Sequence, residues 1–198
     1  MGSSRRRLFG IDRSGPLPRA TRRGAPLRPL TIPNLVGYLR LAAIPVFLYL
    51  AWESGDGRYA PATLVYVAIT TGDYLDGFLA RATGQYSRMG ALLDPIVDRA
   101  AVLAGAAVCW HFELLPRWAL AVLAVREVVT LVLAQLALRR GIDIEVNWIG
   151  RIGVFAVFGS IGLSLMIDSA WIDALFIAGV AISVAATWVY IRAGLGRG

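Results

Sequence analysis

Apolar residues along the chain form six long runs separated by short polar stretches. The runs cover roughly residues 33–52, 59–81, 94–112, 117–138, 148–167 and 171–192. Each is about twenty residues long, the length that an α-helix needs to cross the hydrocarbon core of a bilayer. The pattern therefore predicts an all-α integral membrane protein, a bundle of six transmembrane helices with both termini on one side.

Composition and charge agree with a membrane chain. Of 198 residues, 57% are hydrophobic and 17% are charged, and the mean hydropathy is +0.62, which leaves too few polar residues to solvate a globule. The first 30 residues hold eight Arg and only Asp12 as an acid. We expect residues 1–30 to be a disordered cytoplasmic arm attracted to anionic lipid and 31–198 to be the transmembrane domain. Nucleic acid is not expected as a partner, because only Phe9 offers a ring for base stacking.

The distribution of arginine predicts the orientation. The N-terminal arm, the turns at 82–90 and 139–147, and the C-terminal tail fall on one face of the predicted bundle and carry the Arg excess. Cytoplasmic loops of membrane proteins are enriched in Arg and Lys. We therefore expect a multi-pass protein with both termini and the polar ends of its helices on the cytoplasmic side of a bacterial plasma membrane.

Four carboxylates interrupt the second and third apolar runs. Asp73 and Asp76 are three residues apart and Asp94 and Asp98 are four apart, so each pair shares a helix face. A turn over residues 82–90 would fold the two helices back on one another, and the four acids would then converge near the cytoplasmic surface.

Converging acids repel one another and are costly to desolvate. With only Arg81 and Arg99 expected nearby, a cluster of hard oxygen ligands suits Mg²⁺ or Mn²⁺. Two such ions about 4 Å apart form a clamp for displacement at phosphorus. Gly77 and Gly90, beside the acids, remove side chains where a phosphate or a flat ligand must approach the backbone. An ion path in a cation-coupled transporter and structural Asp–Arg pairs are the alternatives.

The same stretch resembles a family signature. The segment DYLDGFLAR, residues 73–81, is followed eight residues later by GALLDPIVD, residues 90–98. The two segments resemble the signature D-x2-D-G-x2-A-R-x8-9-G-x3-D-x3-D of the CDP-alcohol phosphotransferase family. The flanking stretches TIPNLVGYLRLAAIP, LPRWALAVLAVRE and NWIGRIG resemble the branch with phosphatidylglycerophosphate synthases and actinobacterial-type cardiolipin synthases.

The resemblance implies a fold, a reaction and metal ligands. Family members have six transmembrane helices, usually form homodimers, and transfer a substituted phosphate from a CDP-linked donor to an alcohol with release of CMP. By the motif, Asp73, Asp76 and Asp94 would hold two Mg²⁺ or Mn²⁺ ions, with Asp98 close to or on the second ion. Asp98 is also implied as the general base that takes the proton of the acceptor hydroxyl.

The resemblance also implies a nucleotide site. Gly77, Ala80, Arg81 and Gly90 would line the site for cytidine and pyrophosphate, with Arg81 neutralising phosphate charge. Asn34, near the start of the first helix, would either hydrogen-bond the nucleotide or a ligand carboxylate, or serve only as a helix N-cap.

Acceptor recognition is the least defined part of the sequence. Arg126 would bind an acceptor phosphate or pair with Glu127 or a motif Asp, and Arg151 is a second candidate for acceptor binding. Phosphatidylglycerophosphate synthases usually carry a K-x-K-T-like stretch where this chain reads RIGV, residues 151–154.

The leading functional hypothesis is transfer of the phosphatidyl group from CDP-diacylglycerol to glycerol 3-phosphate. A cardiolipin synthase that uses phosphatidylglycerol is the close alternative, because the departure from K-x-K-T weakens a site for a doubly charged acceptor. A cation-coupled transporter is less favoured, because the acids bunch at one end of their helices. A catalytically dead scaffold is disfavoured by the four intact aspartates.

Overall fold

Six α-helices follow one another along the described chain. The structure is a computed structural model that describes residues 26–140 and 148–195. The helices are α1 (Ile32–Glu53), α2 (Ala60–Thr83), α3 (Arg88–His111), α4 (Arg117–Arg140), α5 (Trp148–Ser164) and α6 (Ala170–Leu195). These ranges contain no β-strand, so the all-α prediction is confirmed for them.

The helix α3 begins six residues earlier than the sequence pattern indicated. Its N-cap is Ser87, whose Oγ accepts a hydrogen bond from the Gly90 N–H at 2.9 Å. The apolar run begins at about residue 94, whereas α3 already starts at Arg88 and continues through Pro95. The connection between α2 and α3 is therefore residues 84–87, not 82–90, and it begins at Gly84 with a left-handed φ of 67°.

Large apolar side chains are exposed on every helix, whereas several polar ones are buried. Exposed examples from the six helices in turn are Leu39, Leu64, Ile96, Val125, Phe155 and Trp188. Such a surface is stable against lipid and unfavourable against water. Two helices in the described part of the chain, Ile32–Glu53 and Ala170–Val189 within α6, are long and apolar enough to cross a membrane. The count of six spans stays a prediction.

The chain divides into two compact units. The first unit contains the described residues up to Tyr49 together with Leu64–Val102. It holds most of α1 and α2 and the first part of α3. In its core the rings of Phe47 and Tyr66 lie 5.1 Å apart between centroids.

The second unit contains Leu50–Thr63 and the described residues from Leu103 onward. Here α5 packs directly on α6, because a Cβ atom on Gly153 would lie only 2.6 Å from Ser183 Oγ and 3.0 Å from the Gly179 carbonyl oxygen. Small residues at such positions allow helix backbones to approach closely.

Candidate active site

The signature aspartates converge on a guanidinium group within the first compact unit. Arg40, on α1, contacts three of them: Nη1 lies 2.9 Å from Asp76 Oδ2 and 3.7 Å from Asp73 Oδ1, and Nη2 lies 2.7 Å from Asp98 Oδ1. Asp94 is close enough to the other three carboxylates to be repelled by each of them. The predicted convergence of the acids is therefore observed, with a cation in their midst.

Arg40 was missed by the sequence reasoning, which expected only Arg81 and Arg99 near the acids. That expectation is wrong. Arg99 does act electrostatically on Asp98, but the side chain that contacts the cluster most closely comes from α1, 36 and 58 positions away from its two hydrogen-bonded aspartates. The available signal was a lone charge inside an apolar run, YLRLAAIP, since an ionisable residue in a membrane segment is a candidate functional residue.

Local packing holds Arg40 in place. Its side chain is 4% exposed, and its Nε donates a hydrogen bond to the Ile69 carbonyl oxygen at 2.7 Å. The side chain passes directly over Gly72, where a Cβ atom would lie 2.7 Å from Arg40 Cδ. Only glycine leaves room for the arginine at this point of α2.

The carboxylates differ in how far they are open to a ligand. The side chain of Asp76 is 6% exposed, whereas those of Asp73 and Asp98 are 52% and 41% exposed. Asp76 therefore forms the closed end of the cluster, and a substrate or ion would approach along Asp73 and Asp98.

The donor set suits a divalent cation, although its side chains are not arranged around one. Among the described residues, no three His, Cys, Asp or Glu side chains are grouped to hold a metal ion. Asp76 and Asp98 each direct an oxygen at Arg40 instead. Four carboxylates on two neighbouring helices are nevertheless the ligand type that Mg²⁺ and Mn²⁺ prefer. The two-ion site formed by Asp73, Asp76, Asp94 and Asp98 fits this chemistry and stays a prediction.

Asn34 is an internal brace and not a helix cap. Thr31 caps α1, because its Oγ1 accepts a hydrogen bond from the Asn34 N–H at 3.4 Å; the N-cap interpretation of Asn34 is therefore wrong. Asn34 Nδ2 donates to the carbonyl oxygens of Arg28 and Pro29, both at 3.0 Å, and its Oδ1 accepts from Ser87 Oγ at 2.9 Å. The amide thus ties the segment before α1 to the α2–α3 connection. Its predicted contact with the nucleotide stays a prediction.

The two motif glycines have different neighbours. A Cβ atom on Gly90 would lie 2.7 Å from Asn34 Oδ1, so the brace needs a glycine there. A Cβ atom on Gly77 would lie 3.2 Å from Arg81 Nη1. The guanidinium of Arg81 therefore lies along the backbone at Gly77, and Ala80 is half-buried in the same turn. Three of the four residues predicted to line the nucleotide site are thus neighbours at the end of α2.

Gly90→Ala is expected to destabilise the protein by about 1–3 kcal/mol, the usual range for overpacking. The new methyl group would push Asn34 Oδ1 away from Ser87. Thermal unfolding in detergent measures the change. Gly159→Ala is the matched control, because a Cβ atom there meets nothing within 4 Å. Equal unfolding temperatures for the two variants would show that the brace tolerates a side chain at residue 90.

The candidate acceptor residues belong to the second compact unit. Arg126 Nη1 donates to Glu127 Oε1, and the two side chains are 13% and 8% exposed. Pairing with Glu127, one of the two interpretations of Arg126, is thus observed. Arg126 Nε is buried and has no hydrogen-bond partner in the part of the chain that the structure describes. Arg151 lies in the first turn of α5 and is exposed. Acceptor binding by either residue stays a prediction.

Comparison with known proteins identifies relatives of the chain. The family model described as CDP-alcohol phosphatidyltransferase matches residues 30–191. A cardiolipin synthase (CMP-forming) of Streptomyces coelicolor is 38% identical over 153 residues, which cover 75% of this chain and 71% of the relative. A probable phosphatidylglycerophosphate synthase of Mycobacterium tuberculosis is 34% identical over 168 residues, covering 82% and 77%. A CDP-diacylglycerol–glycerol-3-phosphate 3-phosphatidyltransferase of Bacillus subtilis is 30% identical over 138 residues, covering 63% and 71%.

Proposed function

Because the chain belongs to the CDP-alcohol phosphatidyltransferase family, we propose that it transfers the phosphatidyl group of CDP-diacylglycerol to a glycerol-type acceptor and releases CMP. The observation that carries the proposal is the meeting of Asp73, Asp76 and Asp98 at one point, with Asp73 and Asp98 open to a ligand. These acids come from both halves of the family signature.

The reaction we propose is a direct displacement at phosphorus. The oxygen of the acceptor hydroxyl forms a bond to the phosphorus next to diacylglycerol, the bond from that phosphorus to the oxygen of CMP breaks, and Asp98 takes the hydroxyl proton. The family generally depends on a divalent metal, which supplies positive charge to the attacking and leaving oxygens. Asp73, Asp76, Asp94 and Asp98 would hold it.

The nucleotide would be bound at the end of α2. Arg81 offers a planar fork of N–H donors for the pyrophosphate, and the absence of a side chain at Gly77 gives its guanidinium room beside the backbone. Cys109 does not suit covalent catalysis, because its thiol is buried against Ser164 Oγ at 3.4 Å. The chain's one histidine, His111, packs against the rings of Trp52 and Phe112.

The proposal includes six membrane-spanning helices with the carboxylates facing the cytoplasm of a bacterium. Apolar side chains exposed on all six helices support it, and so does the excess of Arg in the loops on one side. A homodimer follows from the resemblance to the family.

Two acceptors, glycerol 3-phosphate and phosphatidylglycerol, fit the relatives' names. Two observations favour phosphatidylglycerol. Arg126 is already paired with Glu127, which reduces the positive charge offered to a doubly charged phosphate. The stretch at residues 151–154 has one basic residue and no Thr. A phosphodiester carries a single charge and needs less compensation, and its glycerol still supplies the attacking hydroxyl.

We expect purified protein in detergent with CDP-diacylglycerol and Mg²⁺ to release CMP when phosphatidylglycerol is supplied. CMP release should be at least about tenfold slower with glycerol 3-phosphate, because its doubly charged phosphate would find no second cationic side chain at residues 151–154. Inositol 1-phosphate serves as an acceptor control, and Asp98→Asn gives the background. A higher rate with glycerol 3-phosphate would reverse the assignment of the acceptor. CMP release no faster than the Asp98→Asn background with every acceptor would refute the transferase.

A further inference from the structure

The guanidinium of Arg40 lies among the carboxylates that would hold the metal ions. Its three donor nitrogens are all engaged: Nε on the Ile69 carbonyl oxygen, Nη1 on Asp76 and Nη2 on Asp98. Nη1 also lies 3.7 Å from Asp73. The oxygens it binds belong to residues that the resemblance assigns to metal binding.

We propose that Arg40 is the internal counter-cation of this cluster, a positioning residue that holds Asp76 and Asp98 and competes with a divalent ion for their oxygens. The inference rests on the proposed function only in that the four aspartates are taken as metal ligands. It concerns the binding of the ion and not the transfer reaction.

Electrostatics requires such a competition. A carboxylate oxygen that accepts a short hydrogen bond from a guanidinium has less negative charge to offer a metal ion, and two cations held close together repel each other in a medium of low dielectric constant. Arg40 also lowers the repulsion among the four aspartates when no ion is bound. The arginine therefore stabilises the metal-free site and sets the concentration at which an ion enters it.

The surroundings of Arg40 are built for this position. Gly72 leaves the space through which the Arg40 side chain passes to the acids. The Ile69 carbonyl oxygen accepts a hydrogen bond from Arg40 Nε and fixes its position. Asp73 and Asp98 stay partly exposed, so an ion can reach them from outside while Arg40 is in place. An ion pair with a purely structural role would have no need of this opening.

The test is a titration of the full chain with Mn²⁺ in detergent without substrates. The electron paramagnetic resonance signal of free Mn²⁺ measures how much of the ion is bound. Arg40→Met is expected to bind Mn²⁺ at least about tenfold more tightly than the wild type, because a neighbouring positive charge is removed. Arg40→Lys keeps the charge and should stay within about threefold of the wild type. Arg88→Met is the control that removes an arginine charge from a different helix, α3. Its Mn²⁺ affinity should also stay within about threefold of that of the wild type.

A second variant displaces the arginine and keeps its charge, which provides an answer if Arg40→Met does not fold. In Gly72→Ala the new Cβ atom would lie 2.7 Å from Arg40 Cδ and 2.9 Å from its Cγ, so the guanidinium must move. Mn²⁺ affinity should rise by about threefold or more. Gly159→Ala adds the same methyl group in open space and should change nothing.

Mn²⁺ affinity that is unchanged or weaker in both Arg40→Met and Gly72→Ala would overturn the inference, and so would an absence of Mn²⁺ binding by all variants. Tighter Mn²⁺ binding in these variants, together with no CMP release by the wild-type protein, would support the role of Arg40 and reject the proposed transferase. The reverse result, transfer without any change in Mn²⁺ affinity, would reject only the counter-cation.

Discussion

Asp98→Asn is expected to lower kcat for CMP release by about 100- to 10,000-fold, the usual contribution of a general base. Asparagine cannot take up the proton of the acceptor hydroxyl. Its Oδ1 can still accept the hydrogen bond that Arg40 Nη2 donates to Asp98 at 2.7 Å, so the side chain should keep its position. The affinity for CDP-diacylglycerol, measured by binding of radiolabelled substrate, should therefore change little.

The control for Asp98→Asn is Asp168→Asn. Asp168 is 85% exposed and pairs with Arg58 at 3.4 Å in the second unit, so the same chemical change there should leave kcat as it is. Near-normal turnover by Asp98→Asn would exclude Asp98 as the base. Loss of CDP-diacylglycerol binding in parallel with turnover would instead assign Asp98 mainly to holding the donor or its metal.

Asp76→Asn is expected to have the largest effect on stability, a loss of about 3–5 kcal/mol, as found when one partner of a buried ion pair is removed. Both partners are almost inaccessible, with side-chain exposures of 4% for Arg40 and 6% for Asp76, and Arg40 Nη1 donates to Asp76 Oδ2 at 2.9 Å. The substitution leaves the arginine charge buried with weaker compensation. Unfolding in a series of detergent–denaturant mixtures, without divalent ions, measures the loss.

Asp73→Asn is the matched comparison for Asp76→Asn. Asp73 lies on the same helix and interacts with the same Nη1, but at 3.7 Å and with its side chain 52% exposed. Ion pairs that water reaches contribute about 0–1 kcal/mol, so the stability of Asp73→Asn should fall by no more than this. Equal losses in the free energy of unfolding for the two variants would show that burial does not decide how much each aspartate contributes to stability.

The two motif glycines, Gly77 on α2 and Gly90 on α3, show why a family signature alone does not describe a site. The spacing of the motif gives the two helix faces that carry the aspartates, but Gly90 faces Asn34 and Gly77 faces Arg81. One motif glycine therefore serves a packing contact with α1, and the other leaves room for a cationic side chain. A signature that treats both as ligand-approach positions merges two physical roles.

The sequence by itself determined the helices and the chemistry of the cluster. Six apolar runs gave six helices, because hydrophobic length and helix periodicity are local properties of the chain. The intervals from Asp73 to Asp76 and from Asp94 to Asp98 fixed which carboxylates share a face. The signature, read from the residues alone, gave the family that the comparison confirmed.

Only the tertiary structure decided which side chains meet the acids and where α3 begins. Arg40 joins the cluster across 36 and 58 positions, and no periodicity within α1 specifies a partner on α2 or α3. The start of α3 at Arg88 depends on a Ser87 cap that is itself held by Asn34, whereas the apolar run begins only at about residue 94. Local patterns predict the helices, but the contacts between distant residues, and with them the start of α3, depend on how the helices pack against one another.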